Sequence, residues 1–215
     1  MNKILVEVSV GELLDKISIL EIKQEKIKDA ESLKFITDEY NVLKAELDKN
    51  IKTDENLKNL FNSLEEINSK LWVIEDDKRM CEKNKDFGEK FIKLSRDVHF
   101  LNDNRAKIKL EKIKDQNKLK FISDEHSILK DQLNKNVKSD DELEKLFQSL
   151  KSINSKLWVI EDDKRQCEKD KDFGEKFIKL SRDIHFLNDD RAKIKLSINE
   201  HTGSKIKEIK EYTSY

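Results

Sequence analysis

Residues 25–110 of this chain recur as residues 111–196 at a constant offset of 86, with no gap, and 63 of the 86 positions are identical. EKIKDAESLKFITDEY becomes EKIKDQNKLKFISDEH, and SKLWVIEDDKR is repeated unchanged. A duplication at this period implies that one structural unit occurs twice. Residues 1–24 and 197–215 occur once, so the chain divides into a head, two copies and a tail. The differences are uneven: residues 25–66 carry 19 of the mismatches, whereas 67–110 carry four.

The apolar spacing within a copy is helical. Ser9 with Glu12 three positions later reads as a capping box, and Leu13, Ile17 and Leu20 begin a stripe. Ile36, Tyr40, Leu43 and Leu47 extend that stripe to about Asn50. Leu57, Leu60, Leu64, Ile67, Leu71 and Ile74 mark a second helix capped near Thr53, and Ser139 to Glu142 repeat the cap in the second copy. Asp86 to Glu89 open a third helix, with Phe91, Leu94, Val98, Leu101 and Ile108 on one face. RAKIKL at 105–110 runs into EKIKDQNKL at 111–119 without glycine or proline, so the third helix is expected to continue into the next copy. The expectation is an all-α fold: two tandem three-helix units sharing a continuous linking helix in an elongated bundle. About 50 residues of such a helix would span roughly 75 Å. KILVEV at 3–8 reads as a short N-terminal β-strand needing a partner from the tail or a second subunit.

Composition narrows the function classes. Charged residues make up 41% of the chain, yet the formal net charge is only -1. That balance argues against a general nucleic-acid or anionic-membrane binder. No apolar run is long enough to span a membrane, and the N-terminus lacks a signal-peptide pattern. Cys81 and Cys167 form no CxxC pair and read as reduced, packed thiols of a cytoplasmic protein. The four histidines show no metal-binding spacing, and Gly88 and Gly174 stand singly, so no metal or cofactor is expected.

Four stretches together carry a family likeness: SVGELLDKISILEIK (9–23), LWVIED (71–76), FIKLSRDVHFLNDNRAKIK (91–109) and INEHTGSKIKEIKEYTSY (198–215). In these the chain resembles an uncharacterised family of short bacterial and phage proteins, classed only as a domain of unknown function. The resemblance brings no activity, substrate or cofactor. Family members usually carry a single copy, so the doubling here is a departure.

Arginine usage singles out a site. The chain has 38 lysines and six arginines, and the arginines form three pairs 86 residues apart: Arg79/Arg165, Arg96/Arg182 and Arg105/Arg191. Against a lysine background, arginine suggests a need for its planar, five-donor fork. Antiparallel helices would place Arg96 near Glu75 and Asp76, Arg79 near Glu25, and Arg105 level with Asp38 or Glu39. Glu161 and Asp162 repeat the first acidic pair, whereas Glu65 and Glu66 become Lys151 and Ser152 and are discounted.

Two readings compete. In one, the arginines grip a small anionic ligand, with His99/Asp103 and their copies His185/Asp189 as acid–base pairs. In the other, they form buried ion pairs that set helix register. Arg79 and Arg105 lie about 14 residues apart along the bundle, or roughly 20 Å, too far to share one small ligand in a straight bundle. That favours a non-catalytic interaction or scaffold protein with a protein partner or self-association. The alternative is a small helical enzyme or binding protein for an anionic metabolite. Every arginine paired and no cavity of useful size would support the first; a cavity into which Arg79 or Arg96 points without a carboxylate partner would support the second. Trp72 and Trp158 read as packing aromatics.

Overall fold

The computed structural model describes residues 8–110 and 118–204, with side chains described over 8–110 and 127–204. They form seven helices: α1 (Val10–Lys26), α2 (Ala30–Asn50), α3 (Glu55–Asn84), α4 (Glu89–Leu110), α5 (Lys118–Asn136), α6 (Asp141–Asp170) and α7 (Glu175–His201). No strand occurs among the described residues. The expected strand at 3–8 lies outside them except for Val8, which is exposed coil. The expected join between copies also falls outside, at 111–117.

Local signals explain most of the helix ends. Ser9 Oγ accepts the Glu12 amide at 3.2 Å, as a capping box requires. The second helix is capped by Asp54 rather than Thr53, through its bond from the Leu57 amide at 2.7 Å; Asp140 does the same in the second copy. α3 and α6 end on Lys85 and Lys171, both left-handed at φ 56° and 54°. The Asp86 amide then bonds back to the Cys81 carbonyl at 3.0 Å, and Asp172 to Cys167 likewise.

One expected helix is two. The stripe from Leu13 to Leu47 breaks at residues 27–29, and α1 and α2 pack against each other. Neither glycine nor proline marks the break. Asp29 supplies a cap to the Ser32 amide at 2.7 Å, and Ile27 leaves the helix to become 1% exposed in the core. Burial of Ile27 and a new cap thus replace the helical bonds lost at the corner.

α1 is the centre of the first half. Leu14 and Ile17 pack with Leu47 of α2 and with Leu57 and Leu64 of α3, flanked by Ile108 of α4. Leu20, Ile27 and Ile36 form a second cluster that also touches Trp72. Gly11 lies against α4, where a Cβ would meet the Lys109 carbonyl and backbone. Gly11→Ala is therefore expected to lose about 1–3 kcal/mol by overpacking, partly offset by up to about 1 kcal/mol of helix propensity. Chemical denaturation reads the balance; an unchanged or raised midpoint would mean that α1 does not sit this close to α4.

The two copies are not strung end to end. The α3–α4 and α6–α7 hairpins lie side by side, with α4 against α7. Ile92 of α4 packs into the Cys167, Phe177 and Leu180 cluster of the other hairpin. This corrects the elongated, rod-like expectation. A straight shared helix would hold the copies apart, whereas the fold-back buries the α4 and α7 faces against each other.

Candidate functional site

Arg96 donates to both Glu168 carboxylate oxygens from Nε at 3.1 and 3.0 Å, and from Nη2 at 2.6 Å. Arg182 does the same to Glu82 from Nε and Nη2, at 2.8 Å each. These are one contact made twice, each residue exchanged for its copy 86 positions away, as a two-fold axis between the hairpins requires. The guanidinium of Arg96 also lies 4.4 Å from the Phe173 ring centre, and that of Arg182 4.4 Å from Phe87. Bound by Arg182, the buried Glu82 carboxyl is held below its ordinary range. The expected partners of Arg96 within its own copy, Glu75 and Asp76, are not the ones used.

Arg79 repeats the pattern. It donates to both oxygens of Asp189 at 3.3 Å, and its Nη1 lies 3.4 Å from His185 Nε2. The copied contact, Arg165 to Asp103, is looser at 3.8 Å and half exposed. Arg165 also reaches Asp162 at 3.4 Å. The expected Glu25 partner for Arg79 is replaced because the corner at 27–29 turns the chain away. The His99–Asp103 pair survives at 3.7 Å, too long for a hydrogen bond.

Arg105 meets Asp15 of α1, with Nε at 2.9 Å from Oδ1 and Nη2 at 3.0 Å from Oδ2. Asn68 donates to Asp15 at 2.9 Å and to Ser18 Oγ at 2.8 Å. Asp38 and Glu39, the expected partners, are not used; Glu39 pairs with Lys16 at 2.7 Å. Arg191 has no Asp15 equivalent and forms no ion pair or hydrogen bond among the described residues.

Between the hairpins and α1 lies a cavity of about 610 Å³. Its lining is built from copied pairs: Glu75/Glu161, Lys78/Lys164, Arg79/Arg165, His99/His185 and Asp103/Asp189. Asp76 and Arg105 join them, and α1 closes one side with Ile19, Ile22 and Lys23. Of the expected site residues, Arg96, Arg182, Arg191 and Asp162 are not in the lining. Arg79 and Arg105 both line this cavity.

Lys78 and Lys164 were not singled out by sequence reasoning, yet they are the most deeply buried cations of the cavity, 3% and 4% exposed. Lys164 donates to the Ser95 carbonyl at 3.0 Å. Lys78 has Glu75 at 3.7 Å, beyond hydrogen-bond reach. Burial, aided by repulsion from Lys78, pushes the Lys164 ammonium down to about 8. Burial, reinforced by Arg79 and Lys78, also lowers His185 and favours its neutral form. A signal for the lysines exists in the sequence. Lys78 continues the Leu57, Leu64, Leu71 series at seven-residue intervals, a core position for a charge.

Trp72 is half-buried against α1, as expected of a packing aromatic, but its copy Trp158 is 74% exposed, which corrects that reading. Cys81 and Cys167 are both buried and free. No described helix is long and apolar enough to cross a membrane.

These features define a helical protein of two interlocked hairpins enclosing a charged cavity. The chain belongs to the family of unknown function DUF6165, whose model matches residues 4–125, more than half of its length. The match spans the head and the first copy and ends within the second. No curated protein and no solved structure matches the chain.

Proposed function

We propose that the cavity between the two copies binds a small anion carrying two acidic groups, and that the protein is a binding protein rather than a scaffold alone. The observation that carries this reading is the pair of buried ammonium groups, Lys78 and Lys164, facing one cavity. A buried charge short of partners is costly, and an anionic ligand offsets that cost. Cationic side chains in the lining outnumber carboxylates six to five, so the cavity carries a small positive excess. Its volume falls within the range of small-molecule sites. The half-exposed Arg165 beside Asp103 stands where a ligand acid could displace the loose 3.8 Å pair.

His99 and His185 give the site proton donors and acceptors, but no nucleophile or oxyanion donor set accompanies them, so binding without turnover is the reading advanced. Thermal unfolding with inorganic pyrophosphate, succinate and citrate, each at matched ionic strength, tests it. At about one hundred times Kd, at least one should raise Tm by about 5 °C. The rise should vanish in Lys78→Met and Lys164→Met. If none of the three exceeds the sodium chloride control, the reading fails.

A further inference from the structure

The seat that α1 occupies on the first copy exists a second time, and there no described helix takes the place of α1. On the first copy the seat consists of Leu57 and Leu64 of α3, Ile108 of α4, and the polar pair Asn68 and Arg105. Their counterparts Leu143, Leu150, Ile194, Asn154 and Arg191 are unchanged in identity. Leu143 and Leu150 are kept although 19 of the 42 positions from 25 to 66 differ from their copies. The head that would cover them occurs only once.

The exposure pattern records the missing cover. Leu57 and Leu64 are 2% and 1% exposed, whereas Leu143 and Leu150 are half-buried. Asn68 is buried and bonded twice, but Asn154 is exposed. Phe147 and Trp158 beside them are 48% and 74% exposed. Arg191 is half-buried with no described partner, where Arg105 holds a carboxylate with two donors. α2 packs on α1, while α5, its counterpart, packs on no other helix among the described residues.

We infer that the α6–α7 face is a docking site for an amphipathic helix of the α1 type, supplied in trans by a separate polypeptide. The chemistry of the occupant follows from α1 itself. Leu14 and Ile17 fill the apolar seat, Asp15 between them takes the arginine fork, and Ser18 completes the asparagine contact. Gly11 permits approach to the α4 backbone. A partner helix with glycine, leucine, aspartate, isoleucine and serine at those spacings satisfies every group now open. The carboxylate supplies register, because only one placement brings it to both Arg191 and Asn154. A second copy of this chain is a poorer donor. Its single α1 would have to leave its own seat, so exchange creates no net contact and loses the intramolecular advantage.

The experiment is a titration of a labelled synthetic peptide of residues 8–27 into the full chain, followed by fluorescence anisotropy. Saturable one-to-one binding is expected. Binding should weaken at least about tenfold with D15N in the peptide or R191A in the protein, the loss of a charge-assisted fork. Arg191→Ala should leave the Tm of the free chain unchanged, which separates lost docking from lost folding. Absence of saturable binding, or equal binding by the Arg191→Ala protein, would overturn the inference. So would a free chain whose mass in sedimentation rises with concentration and falls when peptide is added, since α1 exchange between copies would then fill the seat. None of these outcomes depends on whether the inter-copy cavity binds an anion.

Discussion

Asp15→Ala is expected to destabilise the protein by about 3 kcal/mol. Asp15 is 4% exposed and receives the Arg105 fork, the Asn68 amide and, at 3.6 Å, the Lys109 ammonium. Removing one partner of a buried pair leaves the others desolvated without compensation, a loss of roughly 3–5 kcal/mol. The lower end applies because the Arg105 side chain is 26% exposed and regains some water. The loss should centre on α1, since Asp15 is its polar tie to α3 and α4. Hydrogen exchange should accelerate over residues 10–26 and over α2, which packs on α1, and much less over α6 and α7. Asp15→Asn keeps an acceptor for Asn68 but not the ion pair, and should fall between wild type and alanine. A urea midpoint within about 0.5 kcal/mol of wild type for Asp15→Ala, the range of an ordinary surface change, would sink the assignment of α1 as a docked helix.

The second large effect belongs to Lys164 and is read through pH. In the folded protein its ammonium titrates at about 8, against 10.5 in an unfolded chain. Below pH 8 both states hold the proton, and the folded state bears the full cost of the buried charge. Between pH 8 and 10.5 the unfolded state binds more protons than the folded one, so stability rises with pH across that window. The span corresponds to about 3 kcal/mol. Lys164→Met removes the titration. The difference between variant and wild type should thus be largest near pH 7, in favour of methionine, and should shrink towards pH 10.5. Loss of the bond to the Ser95 carbonyl, about 1 kcal/mol, reduces the gain. Free energies from urea unfolding at pH 7, 8, 9 and 10 give both curves. A pH-independent difference would mean that Lys164 is not buried as a charge. The same substitution abolishes the proposed anion binding, so a stabilised protein that has lost its ligand is the expected signature of a functional cation.

Some of this was legible from the chain alone and some was not, for reasons that individual residues show. Ser9 capping, the turns at residues 85 and 171 and the spacing of Leu57 to Ile74 are local, and a helix responds to its own sequence within a few residues. The corner at residues 27–29 carries only a weak cap signal in Asp29, although the stripe after it (Ile36, Tyr40, Leu43, Leu47) is out of phase with the one before it (Leu13, Ile17, Leu20). Its consequence was large: α1 reversed direction, and Asp15 rather than Asp38 or Glu39 became the partner of Arg105. The cavity lysines were hidden in plain composition, since Lys78 is one of 38, although its place in the heptad of Leu57, Leu64 and Leu71 was available.

The sequence by itself therefore determined a repeated helical pattern, a head that occurs once, and three arginine pairs. It could not determine which unit each arginine addresses. Because the copies carry the same acids, Arg96 facing Glu82 and Arg96 facing Glu168 are indistinguishable in sequence. Only the side-by-side packing of the hairpins decided that the bonds cross between copies. That same packing brought Lys78 and Lys164 into one cavity, and it left α1 on the first copy alone among the described residues. Local sequence sets helix and turn, whereas pairing between repeats is decided by apolar faces and charges that meet only once the chain has folded back.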